Sequence, residues 1–164
     1  MHLKDKKPYL LLMPLIIIVD QASKWLLTRS LPLEGTRDVI RGFFRLWHVR
    51  NSGAVWGFFS GHDGGLVPKV ITALAIAALL VVLFFFLRAG KQERLELFAY
   101  AFILGGALGN IIDRLRLGYV VDFLDVYVRS WHWPTFNVAD SCITIGVLLL
   151  ALSLLKGGKA CTPS

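Results

Sequence analysis

The sequence predicts an all-α polytopic membrane protein with four transmembrane helices and a small β-rich extracytoplasmic platform. Hydrophobic residues make up 55% of the 164 residues and charged residues only 18%, and the mean hydropathy of +0.61 is far above that of a soluble domain. Four apolar runs are each long enough to cross a hydrocarbon layer about 30 Å thick. We therefore expect residues 1–164 to form a single membrane-embedded domain.

The apolar runs define the four predicted spans, which are Tyr9–Leu27, Leu66–Leu87, Leu95–Ile112 and Asn137–Leu155. A cleavable signal peptide is the alternative for the first run, but the sequence Asp20–Lys24 is a poor small-residue cleavage site. Four spans place both termini on the same side of the membrane.

The basic residues favour cytoplasmic termini. They are densest in the two tails and in the short turn Arg88–Arg94, and the orientation rule gives most weight to short segments beside the spans. Loops 28–65 and 113–136 then lie outside the cytoplasm. The net charge of +7 is explained in part by this topology and by contact of the basic residues with anionic membrane lipid. No nucleic-acid partner is predicted, because no soluble basic stretch is interleaved with stacking aromatics. We expect the protein to be a monomer.

The cysteines and histidines suggest no further chemistry. Cys142 falls within the last span and Cys161 in the cytoplasmic tail, so a disulfide between them is not expected. None of the four histidines has the paired spacing of a metal site. Neither a metal nor a cofactor is predicted.

Polar residues gather at one depth of the predicted spans. With alternating helix directions, these positions all face the same side of the membrane: Asp20, Lys24, Thr72, Asn110, Asp113, Asn137 and Asp140. An ionised side chain in the bilayer centre costs about 2.5–3.5 kcal/mol, so the carboxylates need an explanation. One shallow layer favours a site at the interface, whereas a small transporter or proton-relay protein, the alternative, needs polar groups at the midplane. A purely structural role would leave most of the carboxylates unexplained.

Some of these residues also have a structural interpretation. Asp20 and Lys24 are spaced i, i+4 and can neutralise each other on one helix face. Asp113 can serve Arg114 or a neighbouring helix end, and the Gly105–Gly109 pair allows another helix to approach closely.

Both extracytoplasmic loops contain strand-like segments. Aromatic and β-branched residues precede the turn-like Asn51-Ser52-Gly53, and the segment Tyr119–Val128 is also strand-like. Alternation along that strand places Asp122 and Asp125 on opposite faces. Asp122 is therefore expected to meet Asp140 at the start of the last helix.

Five sequence blocks together resemble the motifs of the bacterial lipoprotein signal peptidases, or signal peptidase II. They occur in order over essentially the whole chain and read DQASK from Asp20, NSGAVWG from Asn51, GGALGNIIDR from Gly105, VVDF from Val120 and FNVAD from Phe136. The resemblance implies a single peptidase domain in the bacterial inner membrane, which removes signal peptides from lipidated prolipoproteins by aspartic chemistry without a metal. It assigns the catalytic pair to Asp122 and Asp140. The other motif positions that it places around the site are Asp20, Lys24, Asn51, Gly53, Asn110, Asp113, Arg114 and Asn137. We expect the aromatic segment Val55–Phe59 to cover this site.

Overall fold

The computed structural model describes residues 3–53 and 66–157, and the predicted covering segment Val55–Phe59 lies outside them. A short 3-10 helix, Leu3–Lys6, leads into the first of four long helices. These helices are α1 (Lys7–Ser30), α2 (Leu66–Arg88), α3 (Arg94–Leu117) and α4 (Val138–Gly157). All four are long and apolar enough to cross a membrane, which confirms the predicted fold class.

The third helix is longer than its apolar run. It continues past the predicted end at Ile112 to Leu117, so Asp113 and Arg114 lie on the helix and not in the following loop. Gly118 ends it with φ +83 and donates its backbone N–H to the Arg114 carbonyl at 3.1 Å. A glycine adopts this left-handed conformation without steric cost, so it terminates the helix.

The platform is an antiparallel four-stranded sheet in the order β1-β2-β3-β4. Its strands are β1 (Thr36–Ile40), β2 (Phe44–Asn51), β3 (Val120–Val128) and β4 (Trp131–His132). The first two strands come from the loop between α1 and α2, and the other two from the loop between α3 and α4. The predicted strand-like segments therefore combine into a single sheet.

The helices pack around α3, where small residues allow close approach. A Cβ on Gly109 would lie 2.6 Å from the Asp20 carboxylate on α1, and a Cβ on Gly106 would collide with the Ala139 carbonyl on α4. Larger side chains at these positions would separate the helices. By contrast, side chains such as Leu11 and Leu74 are about 60% exposed, as expected of surfaces that face lipid.

Candidate active site

Asp122 lies near the start of β3 and is 1% exposed. Its Oδ2 accepts a hydrogen bond from Asn51 Nδ2 at 2.8 Å, and its Oδ1 accepts one from Asn137 Nδ2 at 2.7 Å. These donors belong to β2 and to the residue before α4. A buried carboxyl group is thus held by two neutral amides, and no cation among residues 3–53 and 66–157 is directly bonded to it.

Asp140 lies in the first turn of α4 and forms a reciprocal cap with Asn137. The Asn137 Oδ1 accepts the Asp140 backbone N–H at 2.9 Å, and Asp140 Oδ2 accepts the Asn137 backbone N–H at 3.2 Å. This is the arrangement of a capping box, with Asn and Asp in place of the commoner Ser and Glu. It fixes the position of Asp140 at the helix start.

Two amides bridge the carboxyl groups. Asn110 on α3 donates to Asp140 Oδ1 at 2.7 Å, while Asn137 donates to Asp122 Oδ1. The bridging amides are themselves in contact, because Asn137 Nδ2 lies 3.1 Å from Asn110 Oδ1. Asp122 and Asp140 are therefore connected through two side chains and lie at one site.

The environment of Asp122 disfavours its ionised form. Burial, with a further contribution from the Asp140 charge, raises the pKa of Asp122 from its ordinary value of 3.8 to about 7. The hydrogen bonds from Asn51 and Asn137 and the charge of Lys24 act in the opposite direction. A proton on this carboxyl group is consequently available near neutral pH.

A buried ion cluster lies behind the amides. Lys24 Nζ is 2.8 Å from Asp20 Oδ2, 2.8 Å from Asp113 Oδ2 and 3.0 Å from Asn110 Oδ1. The Asp20–Lys24 pair predicted from i, i+4 spacing is present, with Asp113 as a second carboxylate on the same ammonium group. Through Asn110, the cluster is in hydrogen-bond contact with the residues that hold Asp140.

Asp20 and Asp113 also bind backbone groups of neighbouring elements. Asp20 Oδ1 accepts the Ala139 N–H at the start of α4 at 3.0 Å, and Asp113 Oδ2 accepts the Val121 N–H on β3 at 3.3 Å. The ion cluster therefore fastens both elements that carry the aspartates of the site.

The remaining motif residues border the site. Asn51 Oδ1 accepts the Gly53 N–H at 2.8 Å, and Gly53 adopts φ +96, so this turn orients the amide that faces Asp122. Arg114 on α3 lies close enough for the charges of Asp140, Asp122 and Asp113 to act on its guanidinium. Within the described residues, no group of three or more His, Cys, Asp or Glu side chains is arranged to hold a metal ion.

The sequence and the fold both match known proteins. The family described as Signal peptidase (SPase) II matches residues 12–156. A lipoprotein signal peptidase of Burkholderia ambifaria is 45% identical over 91% of this chain and 88% of its own length. One of Syntrophus aciditrophicus is 36% identical over 94% and 98%, respectively.

This chain belongs to the signal peptidase II family.

Two solved bacterial membrane enzymes share the fold. The structure obtained by the in meso method at 2.3 Å matches with a TM-score of 0.83 and 31% identity over 96% of this chain and 93% of that chain. The structure at 1.9 Å matches with a TM-score of 0.79 and 33% identity over 92% and 94%. The predicted family is thus confirmed, and the protein is an aspartic peptidase with several membrane spans. Nothing in these comparisons favours the transporter alternative.

One residue of this family member escaped the sequence analysis as a site residue. Gln21 Nε2 donates to Asp113 Oδ1 at 2.9 Å and lies 3.2 Å from both Asp20 Oδ2 and the Gly109 carbonyl. Gln21 is the second residue of the DQASK block, but the i, i+4 spacing predicts a contact only between Asp20 and Lys24. Its amide therefore bridges the same two carboxylates that Lys24 neutralises.

Asp125 belongs to a different cluster. It is fully buried, and it accepts hydrogen bonds from Arg45 Nε at 2.6 Å and from His132 Nδ1 at 3.0 Å. Its partners differ from those of Asp122, which lies three positions earlier on the strand. Asp125 therefore stabilises the sheet from outside the site network.

Replacing Asp20 with Asn is expected to lower the folded yield as well as the cleavage rate. The variant leaves Lys24 with one carboxylate and weakens the bond to the Ala139 N–H, a loss on the order of 1–3 kcal/mol. Thermal unfolding in detergent and size-exclusion recovery would measure it. Ser23→Ala, which removes only a hydroxyl bonded to the Asp20 carbonyl, is the neighbouring control; equal stability of the Asp20→Asn and wild-type proteins would contradict the prediction.

Proposed function

We propose that this protein is the endopeptidase that cleaves signal peptides from diacylglyceryl-modified prolipoproteins, on the N-terminal side of the lipidated Cys, with Asp122 and Asp140 as its catalytic pair. The observation that carries the proposal is the bridge of Asn110 and Asn137, which holds the buried Asp122 and the half-buried Asp140, from different elements, at one site. The names of its relatives supply the substrate class.

The proposed chemistry uses one proton shared between two carboxyl groups. The ionised member accepts a proton from a water molecule as the water oxygen attacks the scissile carbonyl carbon. The protonated member donates a hydrogen bond, and then its proton, to the carbonyl oxygen. The first member then gives the proton that it took from water to the amide nitrogen, and the second takes a proton back from a hydroxyl of the intermediate as the C–N bond breaks. The products are a carboxyl end on the signal peptide and a free amine on the lipidated Cys.

The neutral amides suit this chemistry. Asn51, Asn110 and Asn137 donate hydrogen bonds to carboxylate oxygens without adding a full charge, so they orient both groups while a proton stays on the pair. Arg114, at the edge of the site, is available to stabilise the oxyanion that develops on the carbonyl.

We place the site at the extracytoplasmic face of the bacterial inner membrane, with both termini in the cytoplasm. The support is the density of basic residues in the short segments at the opposite ends of the helices, to which the orientation rule gives most weight: Lys6, Lys7, Arg88, Lys91, Arg94 and Lys156. The protein is proposed to act as a monomer in contact with membrane lipid.

Cleavage is expected to slow as the pH rises through about 7. The mechanism needs one proton on the pair, and the pKa of Asp122 near 7 means that this proton is lost above neutrality. Measuring kcat/KM between about pH 5 and about pH 9 would show the alkaline limb. Returning samples from the highest pH to pH 6 separates titration from unfolding; a flat profile would contradict the shared-proton mechanism.

The direct test is cleavage of a diacylglyceryl-modified prolipoprotein by the purified protein in liposomes. Mass spectrometry should find a product that begins with the lipidated Cys. Absence of cleavage by folded protein, or cleavage at another bond, would refute the proposed function.

A further inference from the structure

An irregularity in the sheet lies beside Asp122. From Leu46, paired with Leu124, to Val49, paired with Asp122, the chain advances three residues on β2 but only two on β3. The extra residue makes a β-bulge at Trp47–His48, opposite Phe123. Bulges of this kind re-aim side chains and occur frequently next to active sites.

The bulge decides which side chain of β2 faces the site. Arg45 pairs with Asp125, and a regular ladder continued from this pair would place Arg50 opposite Val120. With the bulge, Asn51 is opposite Val120 instead. Because cross-strand partners share a face and Val120 shares its face with Asp122, the Asn51 amide reaches Asp122 Oδ2.

His48 fastens the bulge to the end of α1. It is 7% exposed, and its Nδ1 lies 3.0 Å from the carbonyl of Leu31, the residue that follows α1. A carbonyl oxygen only accepts, so Nδ1 carries a hydrogen. The His48 backbone N–H donates to the Gly35 carbonyl at 3.0 Å, and its carbonyl accepts the Glu34 N–H at 2.9 Å. Three hydrogen bonds from one residue thus hold the strand where its register shifts.

We propose that His48 is a positioning residue for the reaction: by fixing the bulge against the α1–β1 connection, it holds the Asn51 amide within hydrogen-bond distance of Asp122. The proposal rests on the proposed function for its effect on catalysis. The placement itself is a property of the fold.

A residue that acts through Asn51 has a distinctive effect on titration. The hydrogen bond from Asn51 lowers the pKa of Asp122, so its loss moves that pKa upward. The other charged groups whose fields reach this carboxyl group are distributed over three helices, namely Lys24 on α1, Arg114 on α3 and Asp140 on α4. All three lie on helices, outside the sheet that contains the bulge.

The test compares His48→Leu with His48→Asn. Both variants lack the imidazole ring, but Asn keeps a donor close to the position of Nδ1. His48→Leu is expected to lower kcat/KM about ten- to hundredfold, and to move the alkaline limb of the pH profile upward by up to about one pH unit. His48→Asn should keep the wild-type profile. An unchanged limb in His48→Leu would overturn the proposal.

Two further variants keep the test decisive if His48→Leu fails to fold. Gly35→Ala changes no residue of β2, but it disturbs the carbonyl that accepts the His48 backbone N–H, because the added Cβ would lie 2.8 Å from the Pro32 carbonyl oxygen. The alkaline limb of the pH profile should move in the same direction as in His48→Leu. In an Asn51→Ala background, Gly35→Ala or His48→Leu should add little further loss. Fully additive losses, or a Gly35→Ala limb at the wild-type pH, would overturn the proposal.

An activity-independent readout separates this inference from the proposed function. Infrared titration of the carboxyl band that disappears in Asp122→Asn reports the protonation of this group directly. If the band shifts upward in Gly35→Ala but the wild-type protein cleaves no prolipoprotein, the placement stands and the proposed function fails. If the wild-type protein cleaves but the band shifts neither in His48→Leu nor in Gly35→Ala, His48 has no positioning role.

Discussion

Asp122→Asn and Asp140→Asn are each expected to reduce cleavage of a lipidated prolipoprotein by at least about 10²- to 10⁴-fold, the contribution of positioned acid–base groups. Asn fills the same volume but cannot accept a proton from water or give one to the leaving amine. The double variant should be little worse than either single variant, because the two groups act as one unit. Single-turnover cleavage in liposomes measures the loss.

The matched control for these variants is Asp125→Asn, on the same strand. Asp125 is as deeply buried as Asp122, but it pairs with Arg45 and His132 on the sheet. We expect it to lose stability on the order of 1–3 kcal/mol and to retain most of its activity below its unfolding temperature. Asp122→Asn should lose activity while remaining folded. Equal loss of activity in the two variants would mean that the wrong carboxyl group has been assigned.

The membrane spans were predictable because they depend on composition alone. Continuous apolar runs long enough to cross a bilayer have few alternatives, and all four became helices. The end of α3 was not predictable in this way, since Asp113 and Arg114 interrupt the apolar pattern. The helix continues through both residues because Asp113 is paired with Lys24, and it ends at Gly118.

The depth of the polar residues predicted that they would meet, but not how. The i, i+4 spacing on one helix predicts the pairing of Asp20 with Lys24. It gives no indication of the hydrogen bond from the Ala139 backbone N–H to Asp20, because the two residues are 119 positions apart in the sequence. Likewise, strand alternation separates Asp122 from Asp125, whereas the bulge in β2 has no signature in strand periodicity. Contacts between elements distant in sequence depend on packing, so they appear only in the folded structure.

Removal of the lipid from the substrate is expected to slow cleavage at least about 10²-fold at equal membrane density, because small misplacements of a reacting bond have effects of this size. Acyl chains anchor the modified Cys with about 0.8 kcal/mol for every CH₂ group that leaves water. They also fix the depth of the scissile bond, which an unlipidated precursor leaves variable.

We expect these chains to enter laterally, through the space between α2 and α3. A cleft of about 390 Å³ is lined by Pro68, Lys69, Thr72, Ala73, Ile76, Arg114, Leu115 and Gly118. Within α2, all of whose residues the structure describes, Phe86 is the one buried side chain, and it lies at the opposite end of the helix. Because Arg114 borders both this cleft and the aspartates, chains in the cleft would bring the peptide bond to the polar end of the site.

A substitution inside the cleft tests this route. Ala73→Trp would fill the space, so it should slow cleavage of the diacylated precursor while leaving the low rate on the unlipidated precursor nearly unchanged. Leu74→Trp is the matched control, because Leu74 is 63% exposed and is not among the residues that line the cleft. Comparable rates for lipidated and unlipidated precursors in the wild-type protein would refute the dependence on lipid and favour an aspartic membrane peptidase of broader specificity. Equal effects of the two Trp variants would refute the route through this cleft alone.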